Sequence, residues 1–312
     1  MRVLLFFFPM LVLVEGAMAA ERAALVIGNQ KYAFAPLDTP ENDARAMTDR
    51  LRRAGYQVTR LLNQRQSDMY DGIDRFFAQH RQAKVLLFYY AGHAVQLNGK
   101  NFLIPVDSRK DDPDILSRMF DLRYLLNKLT ESRSETNLVI LDACRDNLFS
   151  SHPSAASGLS ELIAPPGTLV AFSTAPGSTA EDGDGENSPY TKALIESLFR
   201  PGAKIEDSFK EIRRKVRLLT KNVQTPWEST SLEKDFHVVP FGAAMTQPKG
   251  ITRSSSAEIR RPAQASSRSM AAAMEYERVI DKKYCSRILA KISMGMEQLS
   301  ENETASLAKC RH

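Results

Sequence analysis

The chain has 312 residues, of which 43% are hydrophobic, 25% charged and 8% aromatic. That length and apolar content allow one sizeable α/β core with smaller appendages. The formal net charge of +5 comes from the C-terminal part, because residues 21–240 carry 29 basic and 29 acidic side chains while residues 241–312 carry 12 and 7. With no basic cluster interleaved with aromatic residues, nucleic acid is excluded as an expected partner.

Residues 1–19 predict a secretory signal peptide. Arg2 precedes an apolar run of 12 residues from Val3 to Val14, and Ala17-Met18-Ala19 then provides a small-residue cleavage site. An uncleaved anchor is the alternative, but a spanning helix needs about 20 apolar residues. We therefore expect cleavage after Ala19 and an exported protein, periplasmic or secreted, whose mature chain has no membrane span.

Strand and helix signals then alternate along residues 22–240. Apolar runs predict strands at 23–29, 57–63, 84–90, 137–142, 168–172 and 236–240. Helical spacing predicts helices at 41–54, 68–80, 115–130, 188–200 and 205–220, and Asn98-Gly99 predicts a hairpin turn. This alternation predicts an α/β domain with a mainly parallel six-stranded sheet and helices on both faces.

The chain beyond residue 240 differs in composition. Residues 241–272 are rich in Ser, Ala, Pro, Gln and Arg without periodicity, which predicts a flexible linker. Residues 273–312 return to helical spacing and predict a small helical module of unknown role. Three cysteines are an odd number for an exported protein. The simplest partition joins Cys285 and Cys310 in a disulfide that staples this module, and leaves Cys144 as a free thiol.

Cys144 and His93 each follow a predicted central strand. The strand at 84–90 continues into Ala91-Gly92-His93, and the strand at 137–142 continues into Ala143-Cys144. Since the carboxyl ends of parallel strands lie at one edge of a sheet, the imidazole and the thiol meet if the two strands are neighbours. A histidine beside a thiol can take and return its proton, and the thiolate is a nucleophile. A buried, inert cysteine is the alternative.

The sequence resembles the caspase superfamily, in particular its bacterial metacaspase-like branch. The histidine lies 51 residues before a cysteine in an Ala-Cys-Arg context, as in caspases. The resemblance covers roughly residues 22–240 and rests on ALVIGNQKY, ENDARAM, YYAGH, NGKNFLIPVD, DACRDN, AFSTAPG, QTPWE and FHVV. It implies a three-layer caspase-hemoglobinase-like fold and a cysteine endopeptidase that acts on proteins or peptides as a monomer.

Site residues follow from this resemblance. It makes Cys144 the nucleophile and His93 its partner, with the backbone N–H groups of Cys144 and Ala94 as the oxyanion hole. The family usually has Gly where this chain has Ala94. An alanine keeps its N–H, so the hole is retained if φ at Ala94 is negative and is strained if φ is positive.

Acidic residues predict the substrate preference. Asp142 precedes Cys144 by two residues, which places both on one side of a strand. Asp43 resembles a second acid of the metacaspase specificity pocket, and Asp182 lies in the loop where caspases place a substrate-binding arginine; Ser173 is assigned to the same pocket. Acids there attract Arg or Lys before the scissile bond and repel Asp. The alternatives are a strand-end hydrogen bond for Asp142, a helix N-terminal acid for Asp43 and a solvated charge for Asp182.

No cofactor or metal is predicted. Residues 181–187 read EDGDGEN, but the twelfth position counted from Asp182 is Ala193, where a calcium-binding EF-hand loop has Glu. His80 and His152 lack ligand-like spacing for a Cys/His metal site. The alternative to the enzyme hypothesis is a catalytically silent caspase-like domain that binds a protein partner. The C-terminal module would then be its targeting or scaffold element.

Overall fold

The computed structural model describes residues 21–109, 112, 114–144, 155–156, 159–160, 162–175 and 185–242. The predicted signal peptide, the predicted linker from residue 243 onward and the predicted helical module lie outside the described residues, as do Asp182, Cys285 and Cys310. Within the described ranges, no helix combines the length and the apolar character that crossing a membrane requires.

The described part contains nine strands and five α-helices. The strands are β1 (Arg22–Gly28), β2 (Gln57–Leu62), β3 (Val85–Leu97), β4 (Lys100–Leu103), β5 (Phe120–Asp121), β6 (Thr136–Cys144), β7 (Ala155–Ala156), β8 (Thr168–Phe172) and β9 (Trp227–Thr230). The helices are α1 (Pro40–Arg53), α2 (Gln66–Gln79), α3 (Leu122–Glu131), α4 (Pro189–Ser197) and α5 (Ile205–Leu219).

Six strands form the central sheet in the order β2-β1-β3-β6-β8-β9. The first five are parallel, and β9 runs antiparallel to β8. The mainly parallel sheet is thus confirmed. β3 is longer than predicted, because it continues past the sheet edge and turns at Asn98-Gly99 into a hairpin with β4. Both turn residues have positive φ, at 51° and 72°, as a two-residue hairpin of this kind requires.

Helices cover both faces of the sheet. α1, α4 and α5 bury their apolar stripes on one face, against the side chains of Val26, Leu87, Tyr89 and Ile140. α2 and α3 cover the other face, against Leu25, Phe88, Val139 and Val170. Successive strand residues point to opposite faces, so these uninterrupted apolar runs are what a sheet buried on both sides needs.

Two predicted elements differ in the structure. The helix predicted over 115–130 is divided into a 3₁₀ turn (Ile115–Arg118), strand β5 and helix α3. Pairing of β5 with β4 interrupts the helical path, and the Asp121 side chain then caps α3 by accepting the N–H of Arg123 at 2.9 Å.

The strand predicted at 236–240 is wrong, because the edge strand is β9. The carbonyl of Val238 accepts a hydrogen bond from the Arg22 guanidinium at 2.8 Å, and the carbonyl of Phe236 accepts the N–H of Ile205 at 2.9 Å. Side-chain and loop donors thus take the place of a strand partner, while Phe236 and Val238 are buried in the core.

Candidate active site

His93 and Cys144 are direct register partners in the sheet. β3 and β6 are parallel neighbours, paired from Val85 and Thr136 up to His93 and Cys144. Adjacent strands lie about 4.8 Å apart, so the backbones of these two residues are next to each other at the carboxyl edge. The adjacency of the two strands, on which the predicted dyad depended, is therefore present.

The loop between β1 and α1 holds the imidazole of His93. His93 is 2% exposed, and its Nε2 lies 2.8 Å from the carbonyl oxygen of Ala35. The ring of Tyr32 packs on the imidazole with centroids 4.5 Å apart, and the ring of Phe34 stacks at 6.4 Å. A carbonyl can only accept, so Nε2 carries the proton in this contact. The neutral imidazole then has its basic lone pair on Nδ1.

Gly92 is required by its surroundings. Its φ is +152°, and a Cβ built there would lie 2.6 Å from the Tyr32 hydroxyl and 2.7 Å from the Tyr90 hydroxyl. Both tyrosines are buried, so neither hydroxyl can move aside readily. The glycine before His93 therefore gives two hydroxyl groups access to the backbone of the strand end.

Ala94 keeps an N–H suited to the predicted oxyanion hole. Within the described ranges, the non-glycine residues with positive φ are Asn63, Asn98, Lys221 and Asn222, so φ at Ala94 is negative. The N–H of Ile104 donates to the carbonyl of His93 at 3.0 Å, which makes Ala94 and Leu103 a pair that exchanges no hydrogen bonds. The Ala94 N–H thus points away from β4, toward the side of β3 where β6 lies.

Asp43 and Asp142, predicted for the substrate pocket, are brought together through Ser188. The Ser188 hydroxyl donates to Asp142 Oδ2 at 2.5 Å, and the Ser188 N–H donates to Asp43 Oδ1 at 3.1 Å. Asn187 Nδ2 also donates to Asp43 Oδ1, at 2.8 Å, and the Thr191 hydroxyl donates to Asp142 Oδ2, at 2.8 Å. Two acids from distant parts of the chain therefore meet at the N-terminus of α4.

Burial and mutual repulsion change the ionisation of this pair. Asp43 is 1% exposed and Asp142 is 8% exposed. Burial, and next to it the negative charge of Asp142, raises the pKa of Asp43 to about 8, although donors from Asn187 and Ser188 favour its charged form. At neutral pH Asp43 is therefore mostly protonated. The Ser188 and Thr191 hydroxyls both donate to Asp142 at the N-terminus of α4, where the helix dipole has its positive end.

Ser173 lies beside the end of β6. Its N–H donates to the carbonyl of Leu141 at 2.9 Å, and its hydroxyl is directed at the carbonyl of Ala143 at 3.5 Å. Gln224 Nε2 in turn donates to the Ser173 carbonyl at 2.8 Å. Ser173 therefore borders the strand that carries Asp142, with its hydroxyl turned to backbone. Asp182 lies outside the described residues, so its pocket role stays a prediction.

Sequence reasoning missed Ala35, Tyr32, Asn187, Ser188 and Thr191. A signal existed for Ser188, because Ser-Pro at the start of a helical pattern is typical of an N-cap followed by proline at the first helical position. Nothing local predicted the contacts of the others, which depend on the tertiary fold. Among the described side chains, no group of three His, Cys, Asp or Glu residues is arranged to hold a metal ion.

The fold and the site define a caspase-like α/β domain with a histidine and a cysteine paired in register on adjacent strands, at the carboxyl edge of the parallel sheet. The family model of the caspase domain, a peptidase family, matches residues 21–237. The chain therefore belongs to the caspase-domain family. Its membership of the caspase superfamily is confirmed, whereas the bacterial metacaspase-like branch stays a prediction.

Individual known proteins are also similar to this chain. The chain is 30% identical over 129 residues to human mucosa-associated lymphoid tissue lymphoma translocation protein 1, and equally so to the homolog from Mus musculus. This match covers 41% of the chain but only 15% of each relative. Among solved structures, the crystal structure of caspase-1 from Spodoptera frugiperda matches with a TM-score of 0.53 at 16% identity, over 72% of this chain and 92% of that one. The last match shows the fold.

Proposed function

We propose that the chain is a cysteine endopeptidase that cleaves after Arg or Lys, with Cys144 as nucleophile and His93 as general base and acid. The observation that carries this proposal is the register pairing of His93 with Cys144 at the carboxyl edge of the sheet. The pair of buried acids on β6 and α1, next to this edge, supports the basic specificity. Membership of a peptidase family supports the reaction class.

The proposed reaction begins with transfer of the Cys144 thiol proton to Nδ1 of His93. The thiolate attacks the scissile carbonyl carbon, and the N–H groups of Cys144 and Ala94 donate to the resulting oxyanion. When the C–N bond breaks, the imidazolium of His93 returns the proton to the leaving amine. Water, deprotonated by His93, then hydrolyses the thioester and regenerates the thiol.

The acidic pair supports a preference for Arg or Lys before the scissile bond. A guanidinium or ammonium group that approaches Asp142 and Asp43 is attracted by the carboxylate, and it favours ionisation of the protonated carboxyl of Asp43. Bidentate contact between Arg and a carboxylate is the strongest such interaction. An aspartate side chain in the same place meets like charge, so peptides with Asp before the scissile bond are disfavoured.

The test uses the full chain and peptides that end in Arg, Lys or Asp before a fluorescent amide, each with and without calcium. We expect cleavage after Arg and Lys that is lost in Cys144→Ala and in His93→Ala. Preferential cleavage after Asp contradicts the specificity. Absence of turnover under every condition, with a folded protein, contradicts the enzyme and favours the silent partner-binding domain.

The same proposal includes export, cleavage after Ala19, a Cys285–Cys310 disulfide and a monomeric state. The apolar segment before Ala19 and the odd number of cysteines support the first three. N-terminal sequencing of the protein from a host with a secretory pathway and peptide mapping without reductant test these points. A mature chain that begins at Met1, or three free thiols, contradicts them. Light scattering tests the monomer.

A further inference from the structure

Two buried tyrosines hold the backbone of His93. The N–H of His93 donates to the Tyr32 hydroxyl at 3.0 Å, and the Tyr90 hydroxyl donates to the carbonyl of His93 at 2.7 Å. The two hydroxyl oxygens are 3.2 Å apart, and each lies within 3.2 Å of the carbonyl of Ile104. The peptide groups on both sides of the histidine are thereby fixed by side chains.

Each hydroxyl has one proton, so the contacts can be assigned. The Tyr90 proton goes to the closest acceptor, the His93 carbonyl, and the Tyr32 proton goes to the Ile104 carbonyl at 3.1 Å. The Tyr32 oxygen then accepts the N–H of His93. Replacing Tyr32 with Phe leaves this buried N–H without its acceptor, whereas Tyr90→Phe leaves the His93 carbonyl still bonded to the N–H of Ile104.

Tyr32 also touches the imidazole itself. Its ring packs on the His93 ring at 4.5 Å, and three residues later the Ala35 carbonyl contacts Nε2 at 2.8 Å. One short segment, residues 32–35, therefore contacts the backbone N–H, the ring face and the distal nitrogen of the same histidine. The two residues before this segment are also held, because Asn63 Oδ1 accepts the N–H groups of Gln30 and Lys31 at 3.0 Å.

We propose that Tyr32 is the positioning residue for His93, and that its hydroxyl and ring set the orientation in which Nδ1 exchanges a proton with Cys144. The proposal rests on the dyad of the proposed function. In this role Tyr32 acts through the histidine. Its loss should therefore change proton transfer and leave substrate binding intact.

The test measures alkylation of Cys144 by iodoacetamide against pH, with the site identified by peptide mass spectrometry. In the full-length wild type, His93 keeps Cys144 reactive below the usual thiol pKa of about 8.5, and His93→Ala removes this low-pH reactivity. We expect Tyr32→Phe to shift the alkylation midpoint toward that of His93→Ala. With a peptide that the wild type cleaves, we expect kcat of Tyr32→Phe to fall by about 10- to 100-fold at unchanged KM.

Tyr124→Phe is the matched control, because the Tyr124 hydroxyl donates to Asp74 at 2.6 Å on the α2–α3 side of the domain. It should leave the alkylation profile and kcat unchanged. A folded Tyr32→Phe variant with the wild-type profile overturns the proposal, and so does a wild type with the profile of His93→Ala. If Tyr32→Phe fails to fold, ¹⁵N NMR of wild-type His93 decides instead. We expect a backbone N–H protected from solvent exchange by the Tyr32 hydroxyl, together with a fixed Nε2–H tautomer, and rapid exchange of that N–H or averaging of both tautomers overturns the proposal.

The alkylation assay separates this inference from the peptidase proposal, since it needs no substrate. Shifted alkylation profiles in a protein that cleaves no peptide support the role of Tyr32 while the peptidase proposal fails. Peptide cleavage together with an unshifted Tyr32→Phe alkylation profile supports the peptidase proposal and overturns the role of Tyr32.

Discussion

The carboxyls of Asp43 and Asp142 interact, since burial and, after it, the negative charge of Asp142 raise the pKa of Asp43 to about 8. Both acids are held by one residue, Ser188, through its N–H and its hydroxyl. Two carboxyls placed this close share their protons as a unit, because ionisation of one disfavours ionisation of the other. The pair can therefore respond to pH and to a positive charge placed beside it.

Asp43→Asn should change how stability depends on pH. The pKa of Asp43 is about 8 in the folded state against an ordinary value of 3.8, so between about pH 4 and pH 8 the folded chain holds a proton that the unfolded chain has released. The contribution of this group to the free energy of unfolding therefore falls as pH rises, by at most about 1.4 kcal/mol per pH unit. Asn removes that dependence, and urea denaturation from pH 5 to pH 8.5 measures it.

Asp49→Asn is the control for this prediction, because Asp49 is an exposed carboxyl on the same helix. The free energy of unfolding of Asp49→Asn should follow the pH dependence of the wild type. An Asp43→Asn variant that also follows the wild-type curve contradicts the assignment of a buried, protonated Asp43.

Ser188→Ala should destabilise the domain by about 2–3 kcal/mol. The substitution removes the N-cap of α4, where Ser188 Oγ accepts the N–H of Thr191 at 2.9 Å, and a hydroxyl donor to the buried Asp142. The control is Ser197→Ala near the other end of the same helix, where the buried hydroxyl has no hydrogen-bond partner among the described atoms. Ser197→Ala should stay within about 0.5 kcal/mol of wild type in urea denaturation. Equal effects of the two variants contradict the role of Ser188.

Gly92→Ala should cost about 3 kcal/mol or more and abolish peptide cleavage. Its methyl group meets the hydroxyls of Tyr32 and Tyr90 at less than 3 Å, in a backbone conformation that side chains rarely adopt. Gly99→Ala separates these causes, because Gly99 has φ +72° with open space where a Cβ would be. We expect about 1 kcal/mol for that backbone strain alone. Thermal unfolding of both variants gives the comparison, and a mild effect of Gly92→Ala contradicts the close approach.

Ala94→Gly should leave kcat within about twofold of wild type and lower stability by about 1 kcal/mol. The negative φ of Ala94 means that its Cβ causes no backbone strain, and the buried methyl group contributes to the core beside Leu103 and Phe120. Peptide cleavage and urea denaturation measure the two quantities. A large gain in kcat would mean that the alanine impairs the oxyanion hole.

Local sequence was sufficient for most of the fold. The apolar runs of β1, β3, β6 and β8 are uninterrupted because both sheet faces are covered, and such runs are recognisable without a structure. The predictions failed where a partner decided the outcome. The helix predicted at 115–130 is interrupted by the pairing of β5 with β4, and the segment at 236–240 is held by the Arg22 side chain.

The candidate site divides in the same way. Sequence alone determined that His93 and Cys144 continue two apolar strands and that Asp142 precedes Cys144 by two residues, because these are local properties. Asp43 was assigned to the pocket from the family resemblance. Only the tertiary structure decided that β3 and β6 are neighbours, that Ser188 joins the two acids, and that Tyr32 and Ala35 hold the histidine. These contacts join residues 46 to 145 positions apart. Burial and hydrogen bonding across such separations are set by the packing of the whole domain, and no local pattern encodes them.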